Sequence, residues 1–255
     1  MSEPDQTERL VKSVERVRDL GEVYTPSRIV KDMLDLLPEP IWAVHPSRTF
    51  LEPACGDGNF LIEIYQRKAA AVATSWGEGA LPAGNEPDAL RFHLLEAMSS
   101  IYGVDISPEN ILGGTPDHPV GARERLELCF SESLREVVGQ APRANSLIVQ
   151  SLRWMLGRNI QIANMLSTNS DGTPNHYRED LPLIDYGWSP SDLKVRLSLT
   201  TLGDAMRQAE QDSAEAPSLF GAAEPEVLWE GRFDEVHRAP APIDSSVPSV
   251  HGARG

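Results

Sequence analysis

The chain has 255 residues, 40% of them apolar, and a formal net charge of −15. That is enough material for one large α/β domain with appendages, and two cysteines, Cys55 and Cys129, exclude a disulfide framework and point to a reducing, cytoplasmic compartment. No apolar run approaches bilayer-spanning length, the charged N-terminus lacks the apolar stretch of a secretion signal, and no Cys/His spacing suits a metal.

The elements follow in chain order. Residues 5–20 read as a helix, with Leu10, Val14, Val17 and Leu20 at helical spacing and Gly21 as its stop. Thr25-Pro26 opens a second helix, because Thr caps well and Pro suits a first helical position. Ile29, Val30, Met33, Leu34 and Leu37 would form its apolar face, ended by Pro38 and Pro40. Thr49–Leu51 is a strand, residues 59–73 a helix, and 74–88 a loop. A helix up to Ser100 and a strand over 101–105 come next. Residues 112–119 are a turn-rich insertion. Helices over 120–138 and 144–156 lead to a third strand between Arg158 and Asn164. Residues 167–192 are expected to be irregular, 194–199 a strand, and 201–209 a short helix. From Gln211 on, Ala, Pro, Ser, Glu and Asp dominate, which predicts disorder. The expected organisation is thus an N-terminal helix (1–20), a globular domain (21–210) and an acidic tail (211–255).

The most informative stretch is Leu51-Glu52-Pro53-Ala54-Cys55-Gly56-Asp57-Gly58-Asn59-Phe60-Leu61. It reads as a strand ending in an acid, a tight Gly-x-Gly turn and a helix start. Glycine lets a ligand approach the backbone, and the helix start offers free N–H groups. A pyrophosphate is disfavoured: Leu61 stands where a dinucleotide loop has its third glycine, Glu52 would repel phosphate, and Glu78, at the usual ribose-acid spacing, falls in a loop. S-adenosylmethionine fits better, since it carries an ammonium, a sulfonium and a carboxylate but no phosphate. Glu52 can pair with the ammonium. Asp105, at the next strand tip, can accept from both ribose hydroxyls, and Ile106 can pack on adenine. Tyr24 and Thr25, before a helix N-terminus, can serve the carboxylate. Cys55 has no base placed near it by sequence and is expected to pack beside the cofactor rather than act as a nucleophile.

These residues resemble the N6-adenine DNA methyltransferases of restriction-modification type, in the arrangement with the carboxylate-binding motif first. Gly21-Glu22-Val23-Tyr24-Thr25-Pro26 is similar to the leading motif. Leu51–Leu61, with Cys55, Gly56, Gly58, Asn59 and Phe60, is similar to the cofactor loop. Ile101–Ile106 is similar to the ribose-binding strand, and Ile160–Leu166 to the third cofactor strand, with Asn164 as an adenine contact and Ala163 a departure from the pattern. The resemblance covers about residues 21–200. It implies a doubly wound, Rossmann-like α/β fold that binds S-adenosylmethionine, and DNA as substrate.

The same family holds a flipped-out adenine with an Asn or Asp, two prolines and an aromatic residue, which localise the amine lone pair for attack on the methyl group. No Asn-Pro-Pro-Tyr or Asp-Pro-Pro-Tyr occurs in this chain. Asn175-His176-Tyr177 has the end residues without the prolines and reads as a loop. The region is similar to short prophage-type methylase-like proteins with a late Trp, here Trp188. The resemblance therefore leaves two readings. One is a DNA adenine methyltransferase, or the cofactor-holding part of one with a catalytic or specificity partner subunit. The other is a non-catalytic S-adenosylmethionine-binding protein with a regulatory or interaction role. The charge of −15 favours the second, because phosphate contacts need Lys and Arg. Residues 203–255 hold ten acids and four bases, so much of that charge sits in the tail. Within it, Pro217-Ser218-Leu219-Phe220 resembles peptides that bind bacterial sliding clamps, without their leading Gln.

Overall fold

The computed structural model describes residues 25–241 apart from 117, 169–173 and 214–225. The helix expected over 5–20, Tyr24 and the Pro217–Phe220 motif lie outside the described residues.

Helix α1 (Ser27–Leu34) buries Val30 and Leu34 but leaves Ile29 and Met33 about half exposed, so its buried face is narrower than the apolar pattern implies. Arg67 of helix α2 (Asn59–Gly77) fastens the end of α1. It donates to the Lys31 carbonyl, and its guanidinium lies 2.7 Å from Asp35 and 2.9 Å from Glu63. Strand β1 (Phe50–Glu52), helix α3 (Pro87–Ser99) and strand β2 (Ile101–Asp105) follow the expected order, α2 running four residues further than expected. A short helix, α4 (Pro108–Leu112), was not anticipated. Helices α5 (Ala122–Val138) and α6 (Leu147–Asn159) lead to β3 (Ile160–Ile162).

Strands β1, β2 and β3 form a parallel sheet in that order, with Glu52 opposite Gly103 and Asp105 opposite Ile162. Parallel strands need crossovers, and the helices between them supply these. Among the described residues, no strand pairs with the outer edge of β1.

The described residues between 167 and 192 are largely strand rather than irregular. Strands β4 (Leu166–Thr168) and β5 (Pro174–Tyr177) form an antiparallel ribbon, and β6 (Pro182–Ser189) pairs over its full length with β7 (Lys194–Thr201). Ile184, Tyr186 and Trp188 alternate with Asp185, Gly187 and Ser189, a period-two pattern too short to stand out among the surrounding polar and turn residues. Helix α7 (Leu202–Ser213) extends past the expected residue 209.

The disorder expected from Gln211 onward fails over residues 226–241. Strand β8 (Glu226–Arg232) completes the antiparallel sheet β6-β7-β8. A 3-10 turn (Phe233–Arg238) then packs on α6 and buries Phe233 and Val236. Average composition concealed a short apolar block, Val227, Leu228, Trp229, Phe233 and Val236, inside a polar tract.

Side chains lock the two sheets together. Tyr102 Oη donates to the Ile184 carbonyl at 2.5 Å, and Gln161 to the Pro182 carbonyl at 2.8 Å. Buried Asn159 donates to the Ser99 carbonyl and accepts from Tyr186, while Trp188 Nε1 donates to Ser99 Oγ. Phe92 meets Trp188 and Phe233 edge-on at 4.9 and 5.7 Å.

A polar cluster anchors the segment entering β1. Buried Glu96 meets His45 Nδ1 at 2.7 Å, His93 Nδ1 at 2.9 Å and the Ser47 amide at 3.1 Å. Buried Lys68 donates to Ser47 Oγ and to the Arg48 carbonyl and lies over the Phe50 ring. Burial lowers the Lys68 ammonium to about 8, against the raising influence of the Glu96 charge. No helix among the described residues is long and apolar enough to cross a membrane.

Candidate cofactor site

Strand β1 ends at Glu52 and the chain must turn sharply to start α2. Gly56 and Gly58 take φ of +54° and +93°, values that L side chains rarely adopt. The loop is stitched to the neighbouring strand: the Cys55 amide donates to the Val104 carbonyl at 2.9 Å. It lies so close to β2 that a Cβ on Gly103 would meet Leu61 Cδ1 at 2.7 Å and Cys55 Sγ at 3.0 Å. Gly103 is therefore what lets the loop pack against the sheet.

Between the loop and the ends of β2 and β3 lies a cavity of about 490 Å³, a size ordinary for a small-molecule site. Thr25, Glu52, Cys55, Gly56, Asn59, Phe60, Asp105, Ile106 and Asn164, all singled out from sequence, line it. Gly58 does not; it backs onto Ala122 of α5, and its role is the turn. Sequence reasoning missed Asp57, Ser107, Asn110, Met165 and Leu166 as lining residues. Asp57 stood in plain view inside the loop. Asn110 needed the unanticipated α4. Leu166 belongs to the β4–β5 ribbon, where it faces half-exposed Tyr177 across the pair.

The acids differ in surroundings. Among the described residues, Glu52 accepts only the Ala54 amide, at 3.2 Å, and burial raises its carboxyl above the usual range, that amide opposing the shift. Asp105 is well served: Oδ2 accepts the Gly56 amide at 2.9 Å, and Oδ1 accepts the Ser107 amide at 2.8 Å and Asn110 Nδ2 at 3.1 Å. A carboxylate has about four acceptor positions, so Asp105 can take one more donor, on Oδ2, without releasing a protein partner. Asp57 Oδ1 is buried with no aligned donor, and the Arg125 guanidinium lies 3.0 Å from it. Cys55 is buried, and burial together with the Asp105 and Glu52 charges pushes its thiol up, so it is a poor nucleophile. Asn164 is exposed, and its side-chain oxygen accepts the Leu166 amide.

The arrangement is a concave site with acids at adjacent parallel strand tips and a glycine loop leading into a helix. A mixed α/β protein with a parallel sheet of this kind is compatible with a methyltransferase fold. Residues 8–108 match the model of the N-6 DNA methylase family. The matched segment includes Glu52, the glycine loop and Asp105. No curated protein and no solved structure matches the chain.

Proposed function

We propose that the cavity binds S-adenosylmethionine and that the chain is the cofactor-holding part of a DNA adenine-N6 methyltransferase. The observation that carries this is the convergence of Glu52, Asp105 and the Gly56–Gly58 loop on one cavity. Glu52 is a desolvated carboxylate with one hydrogen bond among the described residues, and a cationic ammonium would compensate it. Asp105 has room for one ribose hydroxyl; accepting both would require Asn110 to move. Ile106, 55% exposed at the cavity wall, offers an apolar surface to adenine, with Asn164 nearby in the lining. Thr25, just before α1, is available to the carboxylate. The bound cofactor would supply the activated methyl group; the protein's part is to orient it and offset its charge.

Base binding is the incomplete half. The chain has no Asn/Asp-Pro-Pro-aromatic motif, and the outer edge of β1 is open among the described residues. A partner subunit adding strands there would extend the sheet toward the doubly wound form and bring the base-holding residues beside Glu52. A restriction-modification or phage-borne setting suits such a divided enzyme, in the cytoplasm, where unpaired Cys55 and Cys129 stay reduced. The missing motif and the charge of −15 support a second reading, in which the chain binds the cofactor without catalysis and acts as an interaction or regulatory protein. The Pro217–Phe220 motif would then be a candidate contact to a sliding clamp.

Titration calorimetry with S-adenosylmethionine, followed by transfer of labelled methyl from it to adenine-containing duplex DNA with and without proteins from neighbouring genes, tests these readings. Cofactor binding with transfer supports the enzyme. Cofactor binding with no transfer under any combination supports the second reading. No cofactor binding removes both.

A further inference from the structure

Arg125 lies on α5, outside the cavity, yet it touches two of the residues that shape the cavity and reaches a third through one of them. Its guanidinium donates to the Asp57 carbonyl at 2.7 Å, lies 3.0 Å from Asp57 Oδ1, and donates to Asn59 Oδ1 at 2.9 Å. Asn59 in turn donates from Nδ2 to the Thr25 carbonyl at 3.2 Å. One side chain thus ties α5 to the glycine loop, to the first residue of α2 and to the segment entering α1. Its base is fixed as well, because Ala122, one turn earlier on α5, backs directly onto Gly58.

We infer that Arg125 is a positioning residue that holds the cofactor loop in shape and sets the charge the cavity presents. The inference rests on the cofactor reading above. Glu52, Asp57 and Asp105 all line the cavity, and three uncompensated carboxylates would repel one another as well as attract a cation. Arg125 neutralises Asp57 and leaves Glu52 and Asp105 to act on the ligand. This matters for turnover. S-adenosylmethionine carries a net charge of +1, whereas its demethylated product, S-adenosylhomocysteine, has lost the sulfonium charge. The cavity's net charge therefore decides how strongly it prefers one over the other, and Arg125 moderates that preference.

The test is calorimetric binding of both nucleosides to the wild-type chain, Arg125→Ala, Arg125→Gln and Arg125→Lys, with melting temperatures of the ligand-free proteins alongside. Removing the charge is expected to weaken both ligands, by about tenfold for the lost clasp. It should weaken the product more, shifting the affinity ratio about three- to tenfold toward S-adenosylmethionine. Arg125→Gln should show the same shift in ratio. Arg125→Lys keeps the charge without the two-pronged clasp, so it should bind both ligands less tightly at the wild-type ratio. A purely structural role would lower both affinities by one factor in every variant, and that result overturns the inference, as do wild-type affinities in Arg125→Ala. Wild-type protein that binds neither nucleoside overturns the cofactor reading and this inference together; wild-type binding with an unmoved ratio overturns this inference alone.

Discussion

The carboxylate of Asp105 and the amide of Gly56 meet at 2.9 Å, so the tip of β2 and the loop leaving β1 are one mechanical unit. Asp105 both shapes the loop and faces the cavity, and the two roles can be separated by substitution.

Asp105→Asn should cost stability although it is nearly isosteric. All three partners of Asp105 among the described residues are donors, and the new amide would set an N–H against at least one of them. The expected loss is about 1–3 kcal/mol, read as a lower urea midpoint with an unchanged slope. Asp105→Ala removes the clash but also the acceptor, and should destabilise by a similar amount.

Glu52→Gln should do the opposite. Burial raises the Glu52 carboxyl above its ordinary value of 4.5, so its charged form is a burden to the fold. The favourable contribution of its protonated form is fully present below 4.5 and is lost as pH rises through the folded value. Glu52→Gln should therefore melt at or above the wild-type temperature at pH 7, while affinity for S-adenosylmethionine falls by about ten- to a hundredfold. Wild-type affinity should rise as pH climbs through the Glu52 transition, and the Gln variant should lose that dependence. Calorimetry between pH 4.5 and 7.5 measures both.

Lys68 titrates in the other direction. Its folded value is about 8 against 10.5 when solvated. Its contribution is favourable above 10.5 and is lost as pH falls through about 8. Lys68→Met removes the charge while keeping the buried stem's shape. The melting temperature of the variant should lack the wild-type rise between pH 8 and 10.5, a rise worth at most about 3 kcal/mol. Identical pH profiles for the two proteins would contradict the assignment.

Phe233→Ala tests the unexpected C-terminal elements. The ring is 1% exposed and meets Phe92 edge-on. Truncation should cost about 3–5 kcal/mol, measured by chemical denaturation. A loss under about 0.5 kcal/mol, the range of a surface change, would mean that the strand and turn are not part of the cooperative unit.

The parallel sheet was legible in the sequence because each strand ends in a signal. Glu52 precedes two glycines, and Ile101–Asp105 is a short apolar run closed by an acid. The strands of the antiparallel sheet carry no such punctuation. Strand β6 alternates around Asp185 and Gly187, and β8 sits among acids and prolines whose average composition looks solvated. At the site, Asn59 and Ile106 could be named because they follow the two acids closely in sequence, and Thr25 because it stands before a helix start. Arg125 could not, because its importance lies in contacts to Asp57 and Asn59 that exist only once α5 folds back on the loop. Asn110 was missed for the same reason, since a five-residue helix leaves no periodic trace.

Strand β8 and the turn after it close over α6 and Phe92, elements made much earlier. During synthesis, the ribosome releases the residues that line the cavity, the last of them Leu166, well before Phe233 exists to seal the aromatic core behind them. The nascent chain therefore spends an interval with a greasy flank uncovered, and early termination before residue 233 would yield a product that keeps its acids and glycines yet invites chaperone capture or clumping.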